Sequence, residues 1–199
     1  MADNDTMAAY AANIDRYRRM VGKMGGNAML PGFLAMLPAG ATVLDFGCGV
    51  GDSAARIQAA GHDVTCIDAS AEMADAAKEF FGLDVDRQSF NELDAVDRFD
   101  AVWASFSLLH APKTDMPDIL ARIHQALRVG GIVYIGLKRG IGEKRDDFGR
   151  FYAYYEEAEL TGLIRDAGLL PITIEHDRMT GMSGATEPCL HVTSRKATA

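Results

Sequence analysis

Cysteine is scarce in this chain: three in 199 residues, at Cys48, Cys66 and Cys189. An odd number without C-x-x-C spacing makes neither a disulfide framework nor a structural zinc site, and no other metal-ligand spacing is evident. Long apolar runs are lacking too; none approaches the ~18 residues that a membrane span requires. The opening residues, Met1-Ala2-Asp3-Asn4-Asp5, lack the basic segment and apolar stretch of a signal peptide, so the expected location is the cytoplasm. Positive charge is in short supply, with 20 Lys and Arg against 28 Asp and Glu and a net charge of -8. Such a surface repels a phosphate backbone and counts against nucleic acid as a partner.

An apolar content of 48% is present, enough for one ordinary core, so residues 1–199 are expected to form a single domain. Its organising stretch is Val43-Leu44-Asp45-Phe46-Gly47-Cys48-Gly49-Val50-Gly51. The run Thr42 to Phe46 reads as a buried parallel strand, three glycines at alternate positions form a turn, and a helix begins at Asp52. Glycines there let a ligand lie against bare backbone, and the helix start points unpaired N–H groups at it. A dinucleotide fingerprint on Gly47 and Gly49 would need Gly or Ala at position 52, where Asp52 stands. Asp45 adds a carboxylate that would repel a pyrophosphate by ~4 kcal/mol per charge pair at about 4 Å and an effective dielectric of about 20. A cationic, phosphate-free nucleoside suits that turn, and S-adenosylmethionine is one.

The remaining pattern alternates strands and helices. Asp52 to Ala60 reads as a helix, Asp63 to Asp68 as a strand, Ser70 to Phe81 as a helix capped by Ser70, and Asp84 to Gln88 as an edge strand. Phe99 to Ser105 follows as a strand, then a helix opened by Asp115 and closed by Gly130-Gly131 and a strand at Ile132 to Gly136. A helix at Glu156 to Ala167 and strands at Ile172 to Asp177 and Leu190 to Arg195 complete the pattern, with His191 taken as a plain strand residue. Asp68 stands 19 residues after Gly49, near the ~20 expected of an acidic residue that binds ribose hydroxyls. Residues 3 to 22 read as a helix with Tyr10, Ile14, Tyr17 and Val21 on one face, broken by Gly22 and Gly25-Gly26, with a second helix at Ala28 to Leu37.

The block V-L-D-F-G-C-G-V-G resembles the first motif of the class I S-adenosylmethionine-dependent methyltransferases. F-D-A-V-W-A-S-F-S-L-L-H at 99 to 110 and L-R-V-G-G at 127 to 131 are similar to two further family blocks, the latter with Val129 for the usual Pro. The segment Lys138 to Tyr155 resembles a loop of small bacterial type 11 and tellurite-resistance-like members. The resemblance implies an α/β fold: a Rossmann-like, doubly wound, seven-stranded, mostly parallel sheet with an antiparallel last strand in three αβα layers. Residues 1–38 would be a helical lid and 39–199 the core. It implies cofactor contacts at Tyr17, Asp45, Gly47, Gly49, Asp68, Ala69, Met73, Ser89, Phe90, Ala104 and Ser105. Trp103, Ser105, His110, Lys138, Arg145 and Tyr152 become acceptor-site candidates, with Arg150 and Tyr154 as further grips on an anionic or planar acceptor. For Tyr17, Met73 and His110 the alternative is ordinary packing, and for the 138–155 stretch a solvated charged run.

The implied activity is methyl transfer to a small-molecule acceptor by a monomer or homodimer, without a membrane or a metal. Alternatives are an RNA or protein methyltransferase, a non-catalytic S-adenosylmethionine-binding protein, and a nicotinamide oxidoreductase, the last opposed by Asp45 and Asp52. Which acceptor, and whether a general base is used, stays open.

Overall fold

Short apolar segments alternating with helices whose apolar positions recur every three to four residues can bury both only as a sheet between two helical layers. The computed structural model describes residues 3–24 and 26–197, the side chains of residues 18 and 21–24 excepted, and has that arrangement. Strands β1 (Thr42–Phe46), β2 (Asp63–Asp68), β3 (Val85–Arg87), β4 (Phe99–Ser105) and β5 (Leu127–Lys138) are parallel, and the seven-stranded order is β3-β2-β1-β4-β5-β9-β8. Here β8 is Leu169–Thr180 and β9 is Thr186–Lys196; β9 runs antiparallel to both of its neighbours. The last strand of the chain is thus the reversed one, inserted between β5 and β8.

Alternation along the strands sorts the core. Leu44, Val102 and Val133 face helices α6 (Met116–Ala126) and α7 (Glu157–Asp166). Val43, Ala101 and Tyr134 face α3 (Leu30–Leu34) and α4 (Asp52–Ala59), while α5 (Ala71–Phe81) packs Ala77 near Cys66 and Leu83. Helices α1 (Asn4–Ala12) and α2 (Ile14–Met24) bring Tyr10, Ile14 and Tyr17 over Val50, Met73 and Ala76, on the carboxyl side of the strands.

Five expectations need correction. The long N-terminal helix is two, because the Asn13 side chain takes the Ala9 carbonyl and its backbone leaves helical geometry. Gly22 lies inside α2 rather than ending it; the expectations at Val21 and Gly25 lie outside the described side chains and residues. The second helix is only Leu30–Leu34. Helix α6 stops at Ala126, so Gly130 and Gly131 do not close it; they lie within β5, Gly130 at a φ of 77°. The stretch from 138 to 155 is built around a hairpin, β6 (Glu143–Arg145) against β7 (Phe151–Ala153), because alternate residues there find partners on both sides.

Candidate functional site

Parallel strands leave a crevice at their carboxyl ends where neighbouring chain crossings diverge. Between β1 and α4 the chain turns through Gly47, Gly49 and Gly51 at φ values of 80°, 55° and 85°, a region that side chains rarely adopt. A methyl group on Gly47 would also overlap Ser107. The turn is tied to β2: the Gly47 and Cys48 N–H groups donate to the Ile67 carbonyl at 2.8 and 3.0 Å. Asp68 completes the tie, its Oδ2 accepting from Gly49 N–H at 2.8 Å and its Oδ1 from Ser70 N–H at 2.9 Å.

Two cavities open on this turn. The first is lined by Gly47, Gly49, Asp68, Ala69, Met73, Ser89 and Phe90 among others. The second reaches Asp45, Lys138, Arg150 and Tyr152 and the stretch Met179 to Met182 where β8 ends. Tyr10, Tyr17, Gly47, Ser105, Phe106 and His110 border both. The floor is acidic. Asp45 is 2% exposed, and its Oδ2 finds no hydrogen-bond partner among the described residues. Burial, and then the charge of Asp68, push its carboxyl up to about 8, against the Ala54 N–H bond that favours the anion. Burial also raises Asp68 itself, opposed by its backbone N–H bonds.

The cover is built differently, from long side chains. Arg145 grips Asp3 with two hydrogen bonds of 2.9 and 2.8 Å, and Phe151 N–H donates to Thr6 Oγ1. Arg150, 3% exposed, donates to Asp146 at 2.9 and 2.6 Å and to the Tyr10 oxygen at 3.2 Å. His110 Nδ1–H donates to the Phe151 carbonyl at 2.7 Å, so Nε2 accepts the Tyr10 hydroxyl at 3.0 Å. Burial pulls this imidazole down to about 4, so it is neutral near pH 7.

Of the sequence-derived candidates, Tyr17, Asp45, Gly47, Gly49, Asp68, Ala69, Met73, Ser89, Phe90, Ser105, His110, Lys138 and Tyr152 meet at the two cavities. Three do not line them. Trp103 is fully buried, stacked on Tyr134 at 3.9 Å under α3, because it sits two residues deeper in β4 than Ser105 on the same face. Ala104, next along, faces the α6 side of the core. Arg145 is spent on Asp3 and the Gly149 carbonyl. As grips on an acceptor, Tyr154 and Arg150 are also otherwise engaged, with Glu187 and with Asp146 and Tyr10. Even Lys138, at the cavity wall, is paired with Glu187 and lies 3.7 Å over the Tyr152 ring.

Sequence reading missed Asn27, Phe106, Met179 and Met182 as lining residues. Phe106 holds a φ of 55°, uncommon for a non-glycine residue, as its N–H donates to the Gly136 carbonyl. No residue pattern announces that. Among the described residues no helix is long and apolar enough to cross a membrane, and no group of three metal-binding side chains occurs.

The sheet order with its reversed last strand, and a glycine turn facing two acidic residues, define a Rossmann-like methyltransferase fold. Residues 43–131 match the family model described as a methyltransferase domain, and the fold is that of the class I S-adenosylmethionine-dependent methyltransferases. The chain is 36% identical over 103 residues to the methyltransferase GfsG of Streptomyces halstedii, a match covering 47% of this chain and about a third (36%) of that relative's length. A similar solved structure is the 1,6-didemethyltoxoflavin-N1-methyltransferase of Burkholderia thailandensis with bound 1,6-didemethyltoxoflavin and S-adenosylhomocysteine. There the identity is 27% and the TM-score 0.72, over 96% of this chain and 88% of that one. A TehB-like methyltransferase of Corynebacterium glutamicum shares the fold at 22% identity and a TM-score of 0.68, over 95% and 99%.

Proposed function

We propose that this protein transfers the methyl group of S-adenosylmethionine to a small, planar acceptor. The observation that carries the reading is Asp45, a buried carboxyl with an unpartnered oxygen beside a glycine turn whose other carboxylate is Asp68. A phosphate group would meet two carboxyls and no cation there, whereas a cationic nucleoside offers an ammonium that draws off the Asp45 proton and pairs with the carboxylate, and ribose hydroxyls to Asp68. Met73, Ser89 and Phe90 then suit the adenine, and Tyr17 closes on the turn as part of a helical lid over a single domain.

When bound, S-adenosylmethionine supplies a methyl group on an already activated sulfonium leaving group. The chain's task is to hold the acceptor in line at about 3–3.5 Å, a positioning effect on the order of 7–11 kcal/mol. Tyr10, Phe106, His110 and Tyr152 give the second cavity flat walls, and the paired state of Lys138 and Arg150 favours a neutral planar ring over a free anion. The acceptor of the Burkholderia relative is consistent with that class. Three free thiols suit the reducing cytoplasm. The acidic surface disfavours RNA.

The test is release of S-adenosylhomocysteine on incubation with S-adenosylmethionine and a panel of nitrogen heterocycles and phenols, 1,6-didemethyltoxoflavin included. Acceptor-dependent turnover supports the reading. Tight cofactor binding without turnover on any member would leave a cofactor-binding protein that does not methylate such rings.

A further inference from the structure

A chain of polar side chains runs from the surface of the terminal hairpin into the cavity junction, and methyl transfer does not use it. Asp177 on β8 accepts from His191 Nε2 at 2.9 Å, and His191 Nδ1 lies 2.6 Å from the Tyr134 hydroxyl. The Asn27 amide nitrogen lies 3.1 Å from that hydroxyl and 2.9 Å from Ser105 Oγ. His191 and Tyr134 are 2% and 1% exposed.

The polarity of this chain is dictated at both ends. A carboxylate only accepts, so Nε2 of His191 carries the hydrogen and, in the neutral ring, Nδ1 accepts the Tyr134 O–H. Asn27 is oriented by Met29, whose N–H donates to its Oδ1 at 2.8 Å, so an NH₂ group faces both Tyr134 and Ser105. An amide NH₂ donates and cannot accept. No proton therefore passes along the chain, and the Ser105 hydroxyl hydrogen cannot turn back into it. Among the described residues no acceptor takes that hydrogen, and Ser105 borders both cavities beside the strained Phe106, whose ring packs edge-on against His191 at 5.7 Å. Asp45 in the same second cavity would draw the ammonium of an amino-acid end, which leaves the carboxylate for a donor.

We propose that Asp177, His191, Tyr134 and Asn27 form a fixed-polarity positioning chain that presents the Ser105 hydroxyl as a hydrogen-bond donor to the amino-acid carboxylate of the cofactor. The proposal rests on the cofactor reading above and adds to it a reason for four residues remote from the glycine turn. It also divides the ligand: the adenosine half is held independently of this chain, and the amino-acid half is held through it.

The experiment is titration calorimetry of the full chain with S-adenosylhomocysteine and with 5′-methylthioadenosine, which lacks the amino-acid end. Ser105→Ala is expected to weaken S-adenosylhomocysteine by about tenfold, the scale of one hydrogen bond to a charged group, and to leave methylthioadenosine unchanged. Ser105→Thr keeps the donor and restores most of the affinity. Tyr134→Phe removes the hydroxyl that braces the Asn27 amide and shows a smaller loss of the same selectivity, and combined with Ser105→Ala adds nothing further, since both act through one chain. Asp177→Asn, at the half-exposed end, changes the least and guards against a Tyr134 variant that fails to fold; it is expected to lower S-adenosylhomocysteine affinity about twofold with methylthioadenosine unmoved. Equal losses for both ligands, additive losses in the double variant, or full S-adenosylhomocysteine affinity in Ser105→Ala would overturn the proposal while the cofactor reading stands. A wild-type protein that binds neither ligand overturns both.

Discussion

The cradle and the cover of this site are made of different materials. In the cradle, from β1 to β4, cavity-facing positions are backbone at Gly47 and Gly49 and two short carboxylates, Asp45 and Asp68, each held by main-chain N–H groups. In the cover, from α1 and the β6–β7 hairpin, the work is done by arginines that reach across long sequence distances, Arg145 to Asp3 and Arg150 to Tyr10. A backbone cradle has few ways to rearrange, and it defines a cofactor. A cover of side-chain pairs can be rebuilt residue by residue, and it is where acceptor choice can vary without disturbing the fold.

Breaking the cover at its buried pair should have the largest effect on stability. Arg150→Ala leaves Asp146 Oδ2 and the Tyr10 oxygen without their guanidinium donor, though Oδ1 keeps two backbone N–H groups, and a loss of about 3 kcal/mol is expected from urea unfolding. A loss below ~1 kcal/mol would show that the pair is solvated and that side-chain pairs do not hold the cover.

Breaking the cradle should instead appear in binding. Asp68→Ala removes the proposed ribose partner and loosens the Gly49 tie, and a decrease of about a hundredfold in S-adenosylhomocysteine affinity is expected from the ~1.5–3 kcal/mol of a charged hydrogen bond. Unchanged affinity by calorimetry would remove Asp68 from the ribose.

Asp45 sharpens the comparison through pH. With its carboxyl pushed up to about 8, the folded protein keeps a proton that the unfolded chain has released. Its contribution is therefore fully present below about pH 4 and is lost as pH rises towards 8, by at most about 1.4 kcal/mol per pH unit. Asp45→Asn should flatten that slope in the ligand-free protein, and cofactor binding near neutral pH should release a proton, visible as a buffer-dependent heat. His110 runs the other way, its burial as a neutral ring favouring the fold above about pH 6.5 and less as pH falls towards 4. The smallest effect belongs to Arg145→Ala. The pair with Asp3 is solvent-exposed, so the unfolding midpoint should move by no more than ~2 °C while limited proteolysis within α1 becomes faster.

The same contrast explains what could be read from the residues alone. β1, β2 and β4 fall on the expected bounds, Thr42–Phe46, Asp63–Asp68 and Phe99–Ser105, because continuous apolar runs closed by glycine or polar residues leave little choice. The Ser70 cap and the Phe81 end of α5 are equally legible. The cover was not. Lys138, Arg145 and Tyr154 look available as a list of residue types, yet Glu187 and Asp3, distant in sequence, claim them. Trp103 differs from Ser105 only in depth along one strand, which a motif does not encode. His191 read as a plain strand residue, and only the sheet register, which sets β9 against both β5 and β8, brings it between Tyr134 and Asp177.

The central claim is that the glycine turn with its two carboxylates holds an adenosyl cation and not a dinucleotide. Thermal unfolding of the wild-type chain with S-adenosylmethionine, S-adenosylhomocysteine and NAD in parallel tests it most directly. At about 100 times the dissociation constant, a ligand stabilises by ~2.7 kcal/mol, a rise of roughly 5–10 °C for a domain of this size. A shift with both adenosyl compounds and none with NAD is the expected result. A shift with NAD alone, or with none of the three, would contradict the reading of the turn.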